Sequence, residues 1–155
     1  MDYPLATPEE LAAAEVLIEG WMAQQLAEEN AVLSVERDPE RSTRRWVVRL
    51  EGEEKNFIAV WFSLGQRSLH VESYFMPAPE ENEAQLYEYL LRRAEKMVGF
   101  SFVIGVEDAV FLTSRVPVKW IDEAELDRLL GSAYVYSEQS FRPALRLGFA
   151  SRFKG

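Results

Sequence analysis

Apolar residues recur with a helical period from Leu11 through Ala14, Leu17, Ile18, Trp21, Met22 and Leu26, which predicts a first helix with a broad apolar stripe. Its start is marked by Thr7-Pro8-Glu9-Glu10: a threonine cap, proline at the first helical position and a glutamate three residues after the cap. The helix is expected to fade near Glu29-Asn30. The period then changes to two. Val32–Glu36 reads as a short strand closed by Asp38-Pro39. In the next, Arg45–Leu50, Trp46, Val48 and Leu50 alternate with Arg45, Val47 and Arg49. Phe57–Leu64 is apolar at nearly every position, as suits a central strand covered on both faces. After a turn at Leu64-Gly65-Gln66-Arg67, Leu69, Val71, Ser73 and Phe75 alternate with His70, Glu72, Tyr74 and Met76. Short turns between these four segments predict an antiparallel meander.

Pro77-Ala78-Pro79 ends the meander, and Glu80-Glu81-Asn82-Glu83 opens a second helix carrying Leu86, Leu90, Ala94 and Met97 on one face, with Gly99 as its stop. Phe102 and Ile104 suggest a fifth strand. Val110, Leu112, Ser114 and Val116 suggest a sixth, ended by Pro117. A third helix begins at Asp122-Glu123-Ala124-Glu125 and runs through Leu126, Leu129, Leu130, Ala133 and Tyr134, with Pro143 expected to kink or restart it. The order α-ββββ-α-ββ-α lacks regular strand–helix alternation, so the predicted fold is α+β, a twisted antiparallel sheet with flanking helices, in a single domain over residues 1–155.

Composition narrows the function. With 48% hydrophobic residues the 155-residue chain has ample material for a core. The absence of cysteine removes disulfides, thiolate metal sites and thiol nucleophiles. No apolar run approaches the ~20 residues of a membrane span, and no basic residue precedes Arg37, so a cytoplasmic location without membrane attachment is expected. The net charge of −9 disfavours nucleic acid. Seven acids and no bases lie in residues 1–31, whereas residues 132–155 are net basic, so the acidic head and basic tail are expected to pack together.

Catalytic signatures are missing: no phosphate-binding glycine loop, zinc-binding histidine pair or nucleophile elbow occurs. The single histidine, His70, shares a strand face with Glu72 and Tyr74 and reads as a surface residue beside an acid. The expectation is a non-enzyme without cofactor. Arg41, Arg44, Arg45 and Arg49 cluster around Trp46, but Trp46 should point into the core, away from Arg45 and Arg49. That argues against an aromatic and cationic stacking platform, and pairing with acids such as Glu72 is the expected role of these arginines.

If the helices cover the face bearing Trp46, Val48, Leu50, Leu69, Val71 and Phe75, alternation puts Val47, Phe57, Trp61, Tyr74, Val103 and Phe111 on the other. Arg45, Arg49, Glu72 and Arg115 would ring them. Aromatics with an arginine rim are the composition of protein-interface cores. Arg45, Val47, Arg49, Phe57, Trp61, Tyr74, Phe111 and Arg115 are therefore the candidate partner-binding residues, for a protein partner or a second copy.

The segments Trp46–Leu50, FIAVWFSL at 57–64, LHVESYFMPAP at 69–79, LYEYLLRR at 86–93 and FRPALRLGF at 141–149 resemble the actinobacterial branch of the YbjN-like proteins, over roughly residues 32–150. The resemblance implies a fold similar to type III secretion chaperones, often dimeric, and a loosely described role in sensory-transduction regulation. It supplies no catalytic residue to carry over. Together these readings point to a protein-binding module, chaperone-like or regulatory, that forms a homodimer. The alternative is a small-molecule or nucleotide sensor binding between sheet and helices.

Overall fold

A computed structural model describes residues 2–28 and 30–153. Six strands form one fully antiparallel sheet in the order β1-β2-β3-β4-β6-β5. They are β1 (Val32–Arg37), β2 (Arg45–Glu51), β3 (Phe57–Leu64), β4 (Ser68–Met76), β5 (Ser101–Ile104) and β6 (Val110–Pro117). Three α-helices accompany them: α1 (Pro8–Ala27), α2 (Glu83–Ala94) and α3 (Glu123–Gly148). The α+β class and the element order agree with the sequence pattern.

Period two decides which side of the sheet is covered. Trp46, Val48, Ile58, Val60, Phe62, Leu69, Val71 and Leu112 point to one face and are buried against Ile18, Trp21 and Met22 of α1 and Leu126, Leu129 and Ala133 of α3. Toward the far end of the same face, Phe75, Met76 and Val110 pack on Leu86 and Leu90 of α2 and Ala144 of α3. All three helices thus lie on one side. β3 is central, as its apolar run suggested, but only its Ile58, Val60, Phe62 and Leu64 side is under helices; Phe57, Ala59, Trp61 and Ser63 are shielded only by neighbouring strands, or not at all.

The α1 cap forms as read: Thr7 Oγ1 accepts from the Glu10 amide at 3.1 Å, and Glu10 accepts from the Thr7 amide at 2.9 Å. The helix ends at Ala27; Glu29 lies outside the described residues. Two helical expectations are corrected. α2 stops at Ala94, a turn before Met97, because the chain must turn back toward β5; Gly99, at φ 73°, makes that turn rather than capping the helix. α3 runs unbroken through Pro143, whose ring is exposed while Ser140, Ala144 and Gly148 stay buried on the opposite side. Packing along that side holds the helix across the one missing hydrogen bond.

The acidic head does not pair with the basic tail among the described residues. Glu15 and Glu19 of α1 instead bind Arg37 of β1, with Arg44 reaching Glu15 at 2.7 Å and the Trp46 indole N–H donating to Glu19 at 3.0 Å. Burial would raise the Glu19 pKa, but hydrogen bonds from Arg37 and Trp46 and the Arg37 charge outweigh it, and the carboxyl is held below its ordinary value. This network fastens α1 along β1. In the basic tail, Arg142 pairs with Glu54 and Arg152 with Glu80.

Candidate functional site

The uncovered face can be rebuilt row by row from strand register. Arg45, Ser63, His70 and Arg115 face one another across β2, β3, β4 and β6. The next row holds Glu36, Val47, Trp61, Glu72 and Thr113. Beyond it, Tyr74 opposes Phe111, which opposes Val103 on β5. Phe57 opens β3 opposite Glu51. All eight candidate residues therefore share this face, which is basic at one end and aromatic at the other.

Their environments differ. Val47 is 2% exposed, closed over by its neighbours, whereas Phe57 is 70% exposed and Tyr74 45%. Tyr74 and Phe111 meet edge to face, with centroids 5.6 Å apart at 87°. Arg45 lays its guanidinium 4.0 Å from the centroid of the Trp61 ring. Two expectations are corrected by these contacts. The arginines of β2 do not pair with Glu72: Arg49 binds Glu36 at 3.1 Å and Arg45 stacks on Trp61, because the register sets those partners beside them. A cation and an aromatic ring do share the open face, through Trp61; Trp46 is buried on the other side, as expected.

His70 Nε2 stands 4.0 Å from the Glu72 carboxylate. Burial lowers the imidazole pKa, Arg115 lowers it further, Glu72 opposes and Arg45 adds to the lowering, so His70 is neutral at physiological pH. Among the described residues no cluster of His, Asp and Glu could hold a metal ion, and no helix is long and apolar enough to cross a membrane.

A second concavity escaped the sequence reading. Between α2 and β5, at the free edge of the sheet, Tyr87, Leu90, Leu91, Phe102, Val103, Ile104 and Val110 line a groove of about 390 Å³. The available signal was Leu91, an apolar residue off the Leu86–Leu90 stripe and 71% exposed, next in space to the uncharged strand Ser101–Ile104.

The molecule is thus an α+β protein built on a one-sided antiparallel sheet, with an aromatic, arginine-edged open face. A family model described as "Putative bacterial sensory transduction regulator" matches residues 18–146, and the chain belongs to this family, YbjN. It is similar to the "uncharacterized protein Rv0487" of Mycobacterium tuberculosis, 31% identical over 105 residues, covering 68% of this chain and 57% of that one. The "uncharacterized protein ML2442" of Mycobacterium leprae is 33% identical over 107 residues, covering 69% and 58%. The chain therefore spans under three-fifths of the length of these curated relatives.

Proposed function

We propose that this chain is a regulatory or chaperone-like protein-binding module that works without a catalytic step and binds its partner on the open sheet face. The observation that carries the reading is the one-sided sheet: every helix packs on one face, leaving Phe57, Trp61, Tyr74 and Phe111, edged by Arg45, Arg49 and Arg115, on the other. Aromatic anchors ringed by arginine are what binding surfaces concentrate, and membership of a family described as transduction regulators fits such a role. A second copy is assigned to the other exposed apolar region, the β5 edge with its α2 groove.

The test is capture from native lysate on immobilised wild-type chain and on the Phe57→Glu/Tyr74→Glu variant, with bound proteins identified by mass spectrometry. Both side chains are exposed, so the variant is expected to melt within about 0.5 kcal/mol of the parent. Partners held by the parent and lost by the variant support the reading; partners indifferent to the change sink it.

The groove favours one alternative, an apolar small molecule held between sheet and helix. Its volume suits a ligand, but its lining supplies one polar side-chain group, the Tyr87 hydroxyl, where a nucleotide needs several converging ones. A rise in melting temperature with a fatty acid or sterol, and none with nucleotides, would promote that alternative.

A further inference from the structure

We propose that the open sheet face takes a protein segment acidic at one end and apolar at the other. Its carboxylates would lie on the row Arg45–His70–Arg115, and its apolar side chains on Tyr74 and Phe111. The proposal rests on the reading of this face as the binding surface and adds the chemistry of the occupant.

The first argument is charge left without a partner. Arg37, Arg44, Arg49, Arg128, Arg142 and Arg152 each form an ion pair. Arg45 and Arg115 form none among the described residues, although the chain has 26 acids for 17 bases. Both stand on the open face in one register row, at β2 and β6, with Ser63 and His70 between them. Four strands at the usual spacing make this row about 14 Å wide. Stacking on Trp61 fixes the Arg45 guanidinium before any partner arrives, so less side-chain freedom is lost on binding.

The second argument is spacing. From His70 to Tyr74 the strand advances about 13 Å. A segment that satisfies both ends carries its acids and its apolar anchors four residues apart if extended, or about nine residues apart if helical. The face also selects a short anion over a long one. Glu72, Glu36 and Glu51 occupy the rows beyond the arginines, so a polyphosphate laid along the face would run from cations onto carboxylates. Two or three carboxylates confined to one row meet no such repulsion.

The groups facing His70 are Arg45 from β2, Ser63 from β3, Glu72 from β4 and Arg115 from β6. In the free protein the arginines help keep the imidazole neutral. Carboxylates docked on the row would neutralise those arginines and favour the imidazolium, so the complex takes up a proton and tightens as pH falls.

The experiment is selection of random peptides of about 16 residues, displayed on phage, against the immobilised full chain. The length spans the face in either conformation. Enriched peptides are expected to pair Asp or Glu with Leu, Val or Phe at one of the two spacings above. For a synthetic enriched peptide, fluorescence anisotropy should show about a tenfold weaker complex with Arg45→Gln/Arg115→Gln. Raising salt from about 0.05 M to about 0.3 M should weaken the wild-type complex. Lowering pH from about 7.5 to about 6 should tighten it, and His70→Gln should abolish that dependence. Apolar peptides enriched without acids, and lost with Phe57→Glu/Tyr74→Glu, would overturn the proposal and leave the binding face standing. Failure to enrich any peptide sensitive to either double variant would overturn both. A single-stranded oligonucleotide that binds through the two arginines, with no acidic peptide enriched, would overturn the proposal in favour of nucleic acid.

Discussion

Trp46 and Trp61 sit on neighbouring strands in almost identical sequence settings, yet they belong to opposite sides of the sheet. Alternation alone separates them: Trp46 falls in step with Val48 and Leu50, whereas Trp61 pairs in register with Val47. Trp46 is 1% exposed and donates to Glu19, so Trp46→Ala should cost about 3–5 kcal/mol in chemical denaturation. Trp61→Ala should cost less than about 1.5 kcal/mol, chiefly the stacking with Arg45, while weakening partner capture. Equal destabilisation by the two would mean that the face is structural. His70 follows the same logic. Its folded pKa lies below its unfolded one, so the unfolded chain binds the proton first as pH drops. The stability of neutral His70 is therefore complete above about pH 6.5 and declines as pH falls through that value toward the folded pKa. His70→Gln should remove this slope from a melting series between about pH 7.5 and 5, with little change at the upper end. Which residue faces which way was legible in the sequence. Which side chain touches which was not, because stacking and ion pairs depend on strand register, and register is set by turns and packing far from the residues concerned.

Element boundaries were legible where a local device sets them. Thr7 and Glu10 cap α1 within four residues of chain, and Asp122 accepts from the Glu125 amide at 2.7 Å to start α3. They were misread where distant packing sets them, at the end of α2 and along α3 past Pro143. The β2–β3 turn shows the same dependence. The Glu138 carboxylate of α3 accepts from the backbone amides of Glu53, Glu54 and Lys55 at 2.8, 2.8 and 3.1 Å. It lies some eighty residues away in sequence, and no turn signature announces it. Gly52 is required there, since a Cβ at this position would stand 2.0 Å from the Lys55 carbonyl oxygen and 2.4 Å from Glu138. Glu138→Ala strips the amides of their shared acceptor but leaves them access to water, so a loss of about 1–2 kcal/mol is expected. Hydrogen exchange should accelerate at residues 53–55 and leave the β3–β4 ladder protected. Protection unchanged at those amides would show that the strands alone hold the turn. Phe57, whose backbone carbonyl receives the Lys55 ammonium at 3.0 Å, follows the turn directly, so its loosening should also weaken capture on the open face.

The two edges of the sheet are treated differently, and that difference bears on assembly. β1 has a bulge between Val32 and Ser34, carries Glu36 and Arg37, and lies beside α1, which holds Arg37 by two glutamates. Bulges, charges and covering helices are the usual protections of an edge strand. β5 has none of them: Ser101–Ile104 is uncharged, keeps regular register with β6 and leaves its outer backbone groups unpaired by any strand. Beside it Leu91, Ile104 and Val106 are 71%, 55% and 75% exposed. A second copy meets this surface through a two-fold axis, pairing β5 antiparallel with itself so that Leu91 and Ile104 of each copy approach the groove of the other. Such a dimer buries the bare edge and leaves the open faces of both copies free for partners. Light scattering at micromolar concentration should accordingly report about twice the 17.8 kDa chain mass. Leu91→Glu/Ile104→Glu should return a folded species of single-chain mass, because it places a carboxylate on each side of the groove in both copies. Phe57→Glu/Tyr74→Glu should leave the dimer intact. If instead the face variant dissociates the dimer and the edge variant does not, the second copy occupies the open face and the partner site must lie elsewhere. A parent protein that stays at single-chain mass at the highest accessible concentration would remove the dimer altogether.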